Sequence, residues 1–189
     1  DTQKGRGYPL GATVSAEGTN FSVYSKHATG IELLLYDCVD DARAKRVISI
    51  DPATNRTYHY WHIFVPEVKA GQIYSYRVNG TFDPPSGLRF DPSKVLLDPY
   101  GRGVLVPRNY SREAARNKGD NAAAAMKSVV TDPHAYDWEG DVPLHRPSSQ
   151  TIVYEMHVRG FTRHPSSGVA EKKRGTFAGL VEKISYLKK

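Results

Sequence analysis

From Asn20 to Val78 the chain runs in short stretches of alternating residues, each closed by turn-forming residues, with no long helical period between them. Phe21 and Val23 alternate with Ser22 and Tyr24, and Ile31, Leu33 and Leu35 with Glu32, Leu34 and Tyr36. Trp61, Ile63 and Val65 alternate with His62 and Phe64, and Ile73, Ser75 and Arg77 with Tyr74, Tyr76 and Val78. A period of two sends neighbouring side chains to opposite faces, which is the pattern of half-buried antiparallel strands. Glu17-Gly18, Ala28-Thr29-Gly30, Asp51-Pro52, Thr54-Asn55, Ala70-Gly71 and Asn79-Gly80 separate the runs. This spacing predicts a mainly β fold whose first domain, residues 1–105, is an immunoglobulin-like antiparallel β-sandwich.

Beyond the alternating runs the pattern changes. Pro84-Pro85, Pro92, Pro99 and Pro107 punctuate residues 81–110. Proline removes a backbone donor and fixes φ, so an extended segment held by its side chains is expected there. Residues 106–149, with an alanine-rich helical stretch interrupted by Gly119-Asp120-Asn121, read as a connecting segment. Residues 150–189 hold a strand at 151–158, a loop of Gly, Pro and Ser, and a helix in which Phe177, Leu180, Val181, Ile184 and Leu187 recur at helical spacing behind an N-cap at Thr176. Strand, loop and amphipathic helix make half of a βαβ unit, and no second strand follows.

Composition narrows the function classes. The net charge is +6, but Lys and Arg are dispersed among Asp and Glu, and Glu171-Lys172-Lys173-Arg174 reads as a solvated loop, so no nucleic-acid partner is inferred. Cys38 is the single cysteine, which rules out an intrachain disulfide. No apolar run reaches the roughly 18 residues of a membrane span, so no membrane partner is expected. His27, His59, His62, His134, His145 and His164 show no metal-binding spacing, and Gly5 and Gly7 open no phosphate-binding unit. No metal and no cofactor are expected.

Residues 8–37, 61–101, 126–144, 151–163 and 174–189 closely resemble the front of isoamylase-type glycogen and starch debranching enzymes, in glycoside hydrolase family 13 of the α-amylase superfamily. The run Gly87-Leu88-Arg89-Phe90-Asp91-Pro92-Ser93-Lys94-Val95-Leu96-Leu97-Asp98-Pro99-Tyr100 carries much of that likeness, and "HVRGFTR" at 157–163 separates it from branching enzymes. The resemblance implies a carbohydrate-binding module of family 48, the isoamylase N-terminal domain, followed by the first β-loop-α of an incomplete (β/α)8 barrel. It implies hydrolysis of α-1,6 branch linkages by the parent enzyme. A pullulanase-type parent and a stand-alone α-glucan-binding module are the alternatives.

Retaining glycosidases of this kind need two carboxyl groups about 5 to 5.5 Å apart. The resemblance assigns them to later barrel strands, so no catalytic residue is expected in this chain and the fragment alone is expected to be inactive. Glu155, His157 and Arg159 share a face of the 151–158 strand and are expected to support the start of the barrel. Trp61, Tyr74 and Tyr76 are candidate sugar platforms, with Asn79 and Lys69 as polar neighbours, although Trp61 also reads as core. Asp83, Arg89, Asp91, Asp98 and Tyr100 are expected to anchor the module against a neighbouring domain. The expected partners are α-glucan, as glycogen, amylopectin or malto-oligosaccharide, and the missing barrel. The expected compartment is the cytoplasm, or a plastid in a plant or alga.

Overall fold

The computed structural model describes residues 1–189, which divide into two compact units, Asp1–Asp137 and Trp138–Lys189. The first unit is built from two antiparallel sheets. One contains β1 (Gly11–Val14), β2 (Gly18–Tyr24), β5 (Arg56–Thr57) and β6 (Tyr60–Pro66) in the order β1-β2-β6-β5. The other contains β3 (Gly30–Tyr36), β4 (Arg46–Ser49), β7 (Ile73–Asn79), β10 (Gly103–Leu105) and β11 (Lys127–Val129) in the order β10-β11-β7-β3-β4. The short hairpin of β8 (Phe82–Asp83) and β9 (Leu88–Arg89) stands apart from both.

The alternation seen in the sequence sets the register. In β2 and β6, Phe21 lies opposite Ile63 and Val23 opposite Trp61; in β3 and β7, Leu33 lies opposite Tyr76 and Leu35 opposite Tyr74. All eight are buried and share one core, with Ile31, Val65 and Val130. The edge of Phe21 meets the ring of Tyr74 across the two sheets at 5.0 Å between centroids. Burying such side chains contributes about 1.5–3 kcal/mol each, before the opposing chain entropy.

The second sheet is covered on its other face too, which a strict alternation does not anticipate. Leu34, Tyr36 and Ile73 pack there with Val39, Ala44 and Leu105. Lys127 is fully buried beside them, donating from Nζ to the carbonyls of Val39 at 2.7 Å and Ala122 at 2.9 Å, 4.7 Å above the Tyr36 ring. Burial is the main influence pulling its ammonium below the ordinary lysine value, while Asp41 and Asp40 act against it.

The expected boundary at residue 105 therefore moves. β11, from the presumed connector, pairs with both β10 and β7 and completes the sheet. The helix α1 (Arg112–Arg116), capped by Ser111, is tied down by Lys94, whose Nζ donates to the carbonyls of Ala114, Asn117 and Gly119. Asn121 exchanges two hydrogen bonds with the backbone of Val95. The segment acts as part of the module because its polar groups find their partners there.

In the second unit, the expected strand at 151–158 is absent. Residues 151–157 have no ladder, and Ile152 and Val153 are 96% and 83% exposed. A barrel strand depends on backbone partners along both edges, and no segment of this unit supplies them. Residues Val158–Arg163 instead form the helix α2. The expected single helix over 177–187 is two shorter ones, α3 (Phe177–Val181), capped by Thr176, and α4 (Ile184–Leu187). Lys183 leaves helical geometry between them, where its N–H donates to Leu180 at 2.8 Å. Short helices rely on packing for their stability, and Phe177 and Val181 remain exposed. The unit is held instead around buried Thr162, whose hydroxyl accepts from Gly175 N–H at 2.9 Å, and buried Val169.

Candidate functional site

An open groove of about 540 Å3 lies where the ends of β2, β3 and β7 meet residues 87–99. Its volume falls within the range of small-molecule sites, roughly 300–1,000 Å3. Buried Val23, Ile31 and Tyr76 form its apolar interior, and the partly exposed Tyr24, Leu96 and Leu97 lie nearer solvent. Ser25, Arg89, Asp91 and Lys94 add polar groups to the lining.

The wall is the proline-punctuated stretch, and its residue types explain its path. Gly87 takes a left-handed φ of 80° after the Pro84-Pro85-Ser86 turn, a conformation glycine adopts without strain. Asp91 accepts from both the N–H and the hydroxyl of Ser93, and these bonds hold its carboxyl below the usual value. Leu96 exchanges both backbone hydrogen bonds with Tyr76, at 2.9 and 2.8 Å. Gly80 sits so close under Phe90 that a Cβ would lie 2.4 Å from its ring.

Asp98 fastens the end of the wall. Its carboxylate accepts from the Tyr74 hydroxyl at 2.7 Å and from Tyr100 N–H at 2.8 Å, and its own N–H donates to the Ser128 hydroxyl at 3.0 Å. Burial raises the Asp98 carboxyl above its ordinary value, against the lowering effect of the bonds from Tyr100 and Tyr74. Burial, followed by the Asp98 charge, also raises the phenols of Tyr74 and Tyr76. The Tyr76 hydroxyl is thus a protonated donor, and it is buried without a hydrogen-bond partner beside the groove.

These positions correct several expectations. Trp61, Tyr74 and Tyr76 are 0%, 0% and 2% exposed, so they are core residues rather than stacking platforms, and Tyr76 meets the groove only as part of its buried interior. Trp61 directs its indole N–H to the Ser25 carbonyl at 3.1 Å. Lys69 is exposed in the turn that precedes β7 and Asn79 is exposed at the last position of that strand, and neither lines the groove. Alternation alone does not say which of the two faces of β6 and β7 meets the core.

The anchoring set also separates. Asp98 uses its bonds inside the module, and Tyr100 packs over Gly11, where a Cβ would come within 2.7 Å of the Tyr100 carbonyl. Asp91 makes a local turn; Asp83 precedes the Pro84 turn without a capping bond; Arg89 is exposed on the groove wall. In the second unit Glu155 and Arg159 are exposed, and His157 caps α2 by accepting from Gly160 N–H at 3.0 Å. They share no strand face, because there is no strand.

Residues that the sequence reading missed are Tyr24, Leu96 and Leu97 in the groove and the exposed aromatics Tyr58 and Tyr60. Tyr24 had a signal: it follows Phe21 and Val23 out of phase, at a strand end, where the side chain turns from the core.

The first unit is thus a two-sheet sandwich with an apolar groove and aromatic residues at its surface. Residues 9–101 match the family model of carbohydrate-binding module 48, the isoamylase N-terminal domain. Across its length the chain is a relative of isoamylase-type debranching enzymes. It is 43% identical over 192 residues to a glycogen debranching enzyme of Serratia proteamaculans, covering 96% of this chain and 27% of that protein. It is 39% identical over 184 residues to chloroplastic isoamylase 1 of Oryza sativa, covering 95% and 22%. The chain therefore spans about a quarter of the length of these relatives. A pullulanase from Paenibacillus barengoltzii, solved with maltohexaose and α-cyclodextrin, aligns with a TM-score of 0.64 at 25% identity, over 94% of this chain and 23% of the pullulanase. The glycogen-degrading pneumococcal virulence factor SpuA shares the fold, with a TM-score of 0.67 at 22% identity, over 95% of this chain and 18% of SpuA.

Proposed function

We propose that this chain is the N-terminal portion of a debranching enzyme that hydrolyses α-1,6-glucosidic linkages in glycogen or starch, and that its sandwich holds an α-glucan in the groove beside Tyr24. The observation that carries the binding reading is the groove itself, an apolar trough with Tyr24 partly exposed and polar groups among its lining residues. Pyranose rings present apolar C–H faces bordered by hydroxyls, which this combination matches. The catalytic carboxylates lie in the remainder of the parent, in a barrel of which residues 150–189 form the first part. The parent works in the cytoplasm or, in a plant, in the chloroplast, as the chloroplastic rice relative suggests.

Affinity electrophoresis of the 189-residue chain in glycogen tests binding. Retardation that is weakened by Tyr24→Ala is expected, and unretarded migration of the wild type would refute it. A reducing-sugar assay on glycogen is expected to show no turnover by this chain. A second reading, bracing of the barrel, is favoured by Leu96 and Leu97, adjacent apolar residues left 43% and 36% exposed on the groove wall.

A further inference from the structure

Strands β5 and β6 are joined by a two-residue turn, with Thr57 paired to Tyr60 and Tyr58-His59 at the tip. The backbone of Tyr58 is left-handed, at φ 57°. A two-residue hairpin asks for this conformation at its first central position, where glycine is the residue that adopts it without strain. A tyrosine stands there instead, 77% exposed. A bulky residue in this region marks a place where backbone strain is retained for some use of the side chain.

The surroundings show what that use is. Tyr58 lies over His59 with centroids 3.7 Å apart at 38°, and His59 meets the edge of Tyr24 at 5.9 Å. Tyr24 in turn meets Tyr60 at 5.4 Å. The four rings form a continuous aromatic ridge that runs from the hairpin tip to a residue of the groove. His59 Nδ1 is buried beneath it without a hydrogen-bond partner, a second local cost of keeping aromatic rings here.

The ridge is also fixed before any ligand arrives. Arg56 donates from Nε to the Tyr58 carbonyl at 3.0 Å, with its guanidinium 4.8 Å above the buried Trp61 ring. Ser25 N–H donates to the His59 carbonyl at 2.9 Å, tying the tip to the chain just after Tyr24. A backbone held from both sides loses little conformational freedom when a ligand stacks on its side chain.

We propose that the Tyr58–His59 tip is a pyranose-stacking platform outside the groove, which extends binding of a linear α-glucan past Tyr24. This rests on the groove reading above and adds a residue and a ligand length to it. Tyr58 offers a ring face without reshaping the groove, so its contribution is felt by chains long enough to leave the groove and reach the tip.

The test uses the 189-residue chain, with maltoheptaose titrated calorimetrically and glycogen in affinity gels. Tyr58→Gly removes the ring and relieves the backbone, so its melting temperature should equal or exceed that of the wild type. Its Kd for maltoheptaose should rise between about threefold and tenfold, the scale of one aromatic stacking contact. Tyr58→Trp should bind as the wild type does. Tyr58→Gly that binds within about twofold of the wild type would overturn the platform and leave the groove standing. A wild type that binds neither ligand would overturn both.

Discussion

Replacing Asp98 by alanine strands two donors at once, the Tyr74 hydroxyl and the Tyr100 N–H, while the bond from the residue's own N–H to Ser128 is unaffected. Both acceptor bonds are made by a residue that is only 6% exposed, so water cannot readily replace them. A buried donor left unmatched costs about 1–3 kcal/mol, and two together about 2–6 kcal/mol. Against a total stability of about 5–15 kcal/mol this is enough to unfold a substantial fraction of the chain. Asp98→Asn keeps the shape and one acceptor, and the Tyr74 hydroxyl can rotate to accept from the new amide, so about 1 kcal/mol is expected.

The two variants also separate in pH. Burial raises the folded-state value of Asp98 above its ordinary 3.8, so the folded chain holds this proton more tightly than the unfolded chain. Its contribution to stability is greatest at low pH, declines as pH rises from 3.8 through the raised value, and is flat above it. The wild type should therefore gain on Asp98→Asn as pH falls through that window. Urea unfolding of the wild type and both variants at pH 7, and of the wild type and the asparagine variant down to pH 4, measures each of these differences. A loss below about 1 kcal/mol for Asp98→Ala, or a wild-type advantage over Asp98→Asn that shrinks on acidification, would refute the reasoning.

His62 should give the opposite pH dependence. It is buried with Nδ1 unpartnered, and burial, then the charge of Lys4, lowers it from the ordinary 6.5, so stability is full above 6.5 and falls as pH drops through the lowered value. Urea midpoints of wild type and His62→Gln between pH 7.5 and about 5 should diverge on acidification, with the wild type losing more. At Gly11, φ is 88° and a Cβ would lie 2.7 Å from the Tyr100 carbonyl, so Gly11→Ala should destabilise by about 2–3 kcal/mol in thermal or urea unfolding. Gly71→Ala is its control, since φ is 94° but no atom lies within 4 Å of the new Cβ, and about 1 kcal/mol is expected from conformation alone.

The sequence by itself determined the strands of the sandwich. Phe21, Val23, Ile31, Leu33, Leu35, Ile63 and Val65 alternate because neighbouring side chains of a strand leave on opposite faces, and a run of such residues can be buried in few other ways. It also carried the family likeness through the segment from Gly87 to Tyr100, now the groove wall. What tertiary structure decided was which face of each strand is inner and where each partner lies. Trp61, Tyr74 and Tyr76 read as candidate platforms, with a core reading beside it for Trp61, and the opposing sheet makes all three core. Lys127 looks like surface until the Val39 carbonyl, 88 positions away in sequence, comes within 2.7 Å of its Nζ. The stretch 152–158 has a strand's composition and forms no strand, because composition is local whereas a ladder needs a neighbour. The groove is likewise a product of packing: Tyr24 and Leu97 line it together although 73 positions separate them, and no local pattern records that approach.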